Sequence, residues 1–125
     1  MEKIKKLPDA EFDIMKVVWD NEPPVTTAMV MEWLGKEKEW KIQTVVSLML
    51  RLVERGFLRS EKHGKERTYY PLIGKEEYLK FETGNFMKQY HNNSLFNLIN
   101  TLYDDKALTD NDIDQLLKWA KERRD

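Results

Sequence analysis

Residues 40–70, WKIQTVVSLMLRLVERGFLRSEKHGKERTYY, decide the fold of this chain. Val45, Leu48, Met49 and Leu52 recur at i, i+3, i+4 and i+7, which predicts a helix over about 42–55 with one buried side. Gly56 is the expected residue just past its end. Two β-prone arms follow, 57–62 and 66–72, joined near His63-Gly64-Lys65, with Tyr69 and Tyr70 favouring strand. The whole chain has a formal charge of −1, yet residues 41–73 hold seven Lys/Arg against three Glu. A helix followed by a hairpin, both locally basic, is the shape and charge of a winged-helix reader of duplex DNA.

The flanking sequence completes a helical N-terminal half. Pro8 suits a helix start, and Phe12, Met15 and Trp19 with Ile14 and Val18 predict a first helix over about 8–20. Asn21-Glu22-Pro23-Pro24 ends it. Thr26 is a candidate N-cap for a second helix, on which Val30, Met31 and Leu34 form a stripe. Gly35 is expected to stop that helix, leaving 36–39 as a short loop or a helical extension.

Beyond Gly74 the pattern is helical throughout. A fourth helix over about 75–91 aligns Leu79, Phe86 and Tyr90 with Thr83, leaving Tyr78 and Phe81 off the stripe. A fifth, about 94–103, carries Leu95, Leu98, Ile99 and Leu102 on one side and Phe96 and Tyr103 on another. A sixth opens on Thr109-Asp110-Asn111-Asp112 and aligns Ile113, Leu116, Leu117 and Ala120. Three short helices cannot cover this much apolar surface by themselves. The expected solution is a second copy, with Leu79, Phe86, Tyr90, Leu95, Leu98, Ile99, Leu102, Ile113, Leu116 and Leu117 in a symmetric dimer interface. The expected architecture is mainly α: a winged helix-turn-helix domain over 1–73 and a three-helix dimerisation region over 74–125.

Composition narrows the chemistry. With no cysteine there is no disulfide framework, thiolate zinc site or catalytic thiol, and two histidines give no metal-ligand pattern. No glycine-rich phosphate loop or convincing Ser/His/Asp order is present, so neither enzyme activity nor a cofactor is expected. The start of the chain lacks an apolar signal segment, and no run reaches 18 apolar residues, so a soluble, cytoplasmic protein without membrane insertion is expected. His63 reads as a solvated turn residue. Trp19, Trp33, Trp40 and Trp119 read as core or interface anchors.

For a DNA partner, Arg51, Arg55, Lys62, Lys65 and Arg67 are candidate phosphate contacts, joined by Lys41 and Thr27. Gln43, Thr44 and Ser47 fall where a groove-entering helix reads base edges. Val46 and Leu50 either pack beside the wing or touch thymine methyls. The rival reading uses these two as a docking patch in a winged-helix protein–protein module.

The chain resembles the penicillinase and methicillin-resistance repressors, the BlaI/MecI family. The matching features are LPDAEFDIMKVVWD at 7–20, the TTAMVM segment at 26–31, the run from Trp40 to Leu58, the YYPLI ending at 69–73 and TDNDIDQLLKWA at 109–120. The resemblance implies a homodimeric winged-helix repressor on a palindromic operator, relieved by a signal that is often proteolytic. A sensor-protease partner is implied only for some members. In those members the cut falls at an Asn-Phe bond in the helix corresponding to 94–103, which here reads SLFNLINTLY and has none. Asn85-Phe86 lies earlier, so the expectation is either a different scissile bond near Asn97–Thr101 or, as the preferred reading, release without cleavage. The copper-responsive branch uses cysteines that this chain lacks. The family's recognition helix is more polar and basic than the stretch around Val46 and Leu50.

Overall fold

The structure, a computed structural model, describes residues 4–124. The chain forms two compact units, Met1–Glu82 and Thr83–Asp125.

In the first unit, α1 (Asp9–Trp19) begins directly after Pro8, whose φ of −58° suits a helix entry. Its Ile14, Met15, Val17 and Val18 are buried. Thr26 caps the next helix by accepting the Met29 N–H at 3.2 Å. That helix, α2, is built of Thr27–Val30, a π-helical turn Met31–Gly35, and Lys36–Lys38. Gly35 therefore does not end α2 as expected. It sits inside the helix at φ −55°, where a Cβ would come within 3.0 Å of the Met31 side chain. Its missing side chain serves packing rather than termination. Glu39, at φ 56°, is the left-handed residue that closes the helix. Of the two readings of 36–39, the helical extension is the observed one.

The third helix, α3 (Ile42–Glu54), buries Val45, Leu48, Met49 and Leu52, the four positions its periodicity marks. Gly56, at φ 81°, occupies the expected position beyond its end. The hairpin pairs β1 (Leu58–His63) with β2 (Glu66–Pro71) in antiparallel register, His63 opposite Glu66. Gly64 supplies the left-handed φ of 65° that the tight turn needs. Val25 forms an isolated bridge to the outer side of β2, exchanging two backbone hydrogen bonds with Tyr69 at 2.8 and 2.9 Å. The core joins α1, α2, α3 and the wing root through Ile14, Val30, Val45, Leu52, Phe57 and Leu58.

The fourth helix, α4 (Lys75–His91), starts in the first unit. Tyr78 is fully buried among Phe12, Trp19, Phe57 and Phe81. Its hydroxyl accepts the Leu7 N–H at 2.8 Å. The first unit thus reaches Glu82 rather than stopping at Ile73. Trp19 donates its indole N–H to the Ile73 carbonyl at 3.0 Å, and Trp40 packs against the core. Trp33 and Trp119 are 56% and 54% exposed, so neither belongs to the core.

In the second unit, the last part of α4 turns through Asn92 and Asn93, both at positive φ. Ser94 caps α5 (Leu95–Asp104) by accepting the Asn97 N–H at 3.1 Å. His91 is buried, with Nδ1 2.7 Å from Asn97 Oδ1. Thr109 and Asp112 cap α6 (Asp110–Arg124) reciprocally, at 3.1 and 2.9 Å. Among the described residues of this unit, no apolar side chain is buried. Phe86, Tyr90, Leu95, Leu116 and Leu117 are exposed, and Leu98, Ile99, Leu102 and Ile113 only half-buried. Leu79, on the first unit's stretch of α4, is exposed as well.

Candidate nucleic-acid interface

Three elements of the first unit meet around one open groove. Thr27 at the start of α2, Val46 on α3, and Lys65 and Arg67 on the wing line it together. Ile42, one turn before Val46, lines it as well, and sequence reasoning missed that residue. The signal was available, because i and i+4 share a helix face. A second, shallow depression on α3 gathers Gln43, Thr44, Ser47 and Arg51. Leu50 is 47% exposed. Lys41 is exposed at the N-cap of α3.

The wing sorts its charges by face, because alternate residues of a strand point to opposite sides. Leu58, Ser60 and Lys62 share one face of β1, opposite Pro71, Tyr69 and Arg67. Lys62 and Arg67 are therefore cross-strand neighbours, and Arg67 also donates to the Ser60 hydroxyl at 3.1 Å. The other face carries Arg59, Glu61 and His63. There Arg59 pairs with Glu61 and stacks on Tyr70 at 4.3 Å, while His63 Nε2 lies 3.3 Å from Glu61. The Arg59 guanidinium holds the Glu61 carboxyl below the usual carboxylate range. His63 ends β1 instead of occupying the turn tip, and it is exposed.

Arg55 leaves the candidate set. Its Nε donates to Glu11 Oε1 at 2.7 Å, and Glu11 is only 1% exposed. A buried carboxylate without that partner is strongly disfavoured, so the guanidinium is committed to the core. Among the described residues, Lys41, Arg51, Lys62, Lys65 and Arg67 have no carboxylate partner. Within α3 and the wing, the unpaired cations thus lie at the start and middle of the helix and toward the tip of the hairpin.

This arrangement has known counterparts. Residues 7–122 match the penicillinase repressor family. The chain is 27% identical over 124 residues to the penicillinase repressor of Bacillus licheniformis, covering 99% of this chain and 96% of that one. It is 24% identical over 115 residues to the methicillin resistance regulatory protein MecI of Staphylococcus aureus, covering 91% and 92%. The solution structure of the DNA-binding domain of the repressor BlaI matches with a TM-score of 0.54 and 35% identity, over 62% of this chain and 94% of that one. The monomeric form of B. licheniformis BlaI in complex with the blaP half-operator matches with a TM-score of 0.52, the same identity and the same coverage. The winged helix, the shared pattern over residues 7–122 and these relatives agree: the chain belongs to the penicillinase repressor family.

Proposed function

We infer that this protein is a transcriptional repressor that binds a palindromic operator in a bacterial promoter as a homodimer. One observation carries the reading: α2, α3 and the wing converge on a single groove whose walls include Thr27, Val46, Lys65 and Arg67. A major groove admits one helix, and a basic ribbon beside that helix meets the adjoining phosphates. In this reading Lys41, Arg51, Lys62, Lys65 and Arg67 neutralise phosphates, and Thr27 hydrogen-bonds to one. Gln43, Thr44 and Ser47 face base edges, with Gln43 suited to adenine. The likeness to a BlaI domain solved on a half-operator supports duplex DNA as the partner.

The dimer rests on the second unit. Its exposed Leu95, Phe96, Leu117 and Trp119 exceed what an isolated helical unit leaves in water. A second copy supplies the same apolar faces in reverse and covers them symmetrically. Two linked winged helices then engage two half-sites at high effective concentration. The first unit binds DNA and the second dimerises. Repression follows from occupying the promoter, with no catalytic step, cofactor or metal. Among the described residues no helix is long and apolar enough to cross a membrane, and acting on genomic DNA places the protein in the cytoplasm. Without an Asn-Phe bond in 94–103, release proceeds without a cut there, and a sensor-protease is not required.

Exposed Val46 and Leu50 also suit a protein-docking module, but the cations around them favour a polyanion. Pull-down of sheared genomic DNA with the purified full-length chain tests the reading. Enrichment of promoter fragments sharing an inverted repeat is expected, and recovery without any sequence enrichment contradicts it.

A further inference from the structure

The exposed side of α3 has two flanks of different chemistry. At 100° per residue, Ile42, Val46 and Leu50 succeed one another along one flank, about 6 Å apart on the axis. They are 47%, 37% and 47% exposed, and none belongs to the buried set of this helix. Gln43, Ser47 and Arg51 run along the other flank. A single exposed leucine is ordinary, but three large apolar side chains in one line are not scattered surface.

The surroundings of the ridge say what covers it. Ile42 and Val46 share their groove with Lys65 and Arg67 and one carboxylate, Glu66, which forms no ion pair with either cation; Lys41 precedes the ridge, and Arg51 follows it. An apolar protein surface would leave these cations facing no counter-charge. A polyanion that also presents apolar points satisfies both features. In the major groove of duplex DNA that apolar point is the thymine C5-methyl group, the only methyl on any of the four bases there.

We propose that Ile42, Val46 and Leu50 are specificity-determining residues that read thymine methyl groups in the major groove. This deepens the repressor reading and rests on it. The ridge spans about 12 Å, which corresponds to three or four base-pair steps. Each half-site therefore contains a short thymine-bearing run, on either strand, beneath α3. A G·C pair under the same ridge offers only polar groups and no methyl to bury. Discrimination thus comes from burial of the thymine methyl, which a G·C pair lacks.

The test begins with a random duplex pool selected on the full-length chain. The selected site is then resynthesised with deoxyuridine for thymidine, one position at a time and at all positions together. Uracil keeps the base pair and the minor-groove acceptor and removes only the methyl. The expected loss is about fourfold in affinity for each contacted methyl, confined to a three- or four-pair run in each half-site. With Val46→Ala or Leu50→Ala, the loss at one of those positions disappears, because the methyl has no partner left to lose. The uridine series uses wild-type protein, so it stands even if a variant folds poorly. A selected site that binds unchanged with every thymidine replaced overturns the methyl reading and leaves the repressor reading standing. Ridge variants that weaken thymidine and uridine sites equally overturn it too. A chain that selects no sequence overturns the repressor reading itself.

Discussion

Arg51 and Arg55 are four residues apart near the end of α3, and their guanidinium groups meet different surroundings. Sequence counted them together as surface cations, since charge and spacing cannot reveal that Glu11, 44 positions earlier, is buried against one of them. Arg55→Ala is expected to lower stability by about 2–3 kcal/mol in urea denaturation, below the full range for a buried pair because Arg55 is itself partly exposed. The salt slope of DNA binding should not move. Arg51→Ala should do the reverse, leaving stability within about 0.5 kcal/mol. It should weaken binding to every duplex and reduce the salt slope by about 1. Gln43→Ala or Ser47→Ala should instead relax base preference, with about 1–3 kcal/mol at stake for a bidentate contact, read from competition among sequence variants. Polar residues at the start of α3 were legible because the buried stripe fixes which side faces out. Ile42 was missed because the helix start looked like a boundary rather than part of the exposed face.

Among the elements, α3 and the wing were readable because their periodicities are clean and glycine marks both the end of the helix and the turn of the hairpin. α2 was harder, since Gly35 is a stop signal in isolation and a packing residue beneath Met31 in the fold. α4 showed its double allegiance only as a misfit: Tyr78 and Phe81 lay off the stripe of Leu79 and Phe86, and they pack into the winged-helix core. Ending the chain at Ile73 should therefore destabilise the first unit sharply relative to ending it at Glu82, as thermal melts of the two fragments would show. Tyr78→Phe leaves the Leu7 N–H buried without its acceptor, at a cost of about 1–3 kcal/mol. Burial also pushes the Tyr78 hydroxyl up from its ordinary 10 to about 12. The folded state holds that proton more tightly than the unfolded chain does. The resulting stabilisation is complete below pH 10 and lost as pH rises toward 12. Alkaline denaturation curves should fall less steeply over that window in Tyr78→Phe than in the wild type.

For the whole molecule, the surplus of apolar helix faces after Gly74 was visible in sequence, and the second unit indeed buries none of those side chains within the chain. What covers them follows from area and symmetry, not from a motif. Sedimentation at micromolar concentration should give about twice the 15.0 kDa chain mass, and Leu117→Glu should return it to a monomer with much weaker DNA binding. A monomeric wild type would remove the dimer. The central claim, sequence-specific repression, is tested most directly by titrating the full-length chain against its selected inverted repeat and a scrambled duplex of equal composition. The titration runs from about 50 to about 200 mM salt. The five proposed phosphate contacts per protomer, Lys41, Arg51, Lys62, Lys65 and Arg67, set an upper bound near 9 for the steepness of log affinity against log salt in a dimer. A steep slope below that bound and at least about a thousandfold preference for the repeat are expected of a sequence-specific repressor. Equal affinity for the two duplexes would contradict it.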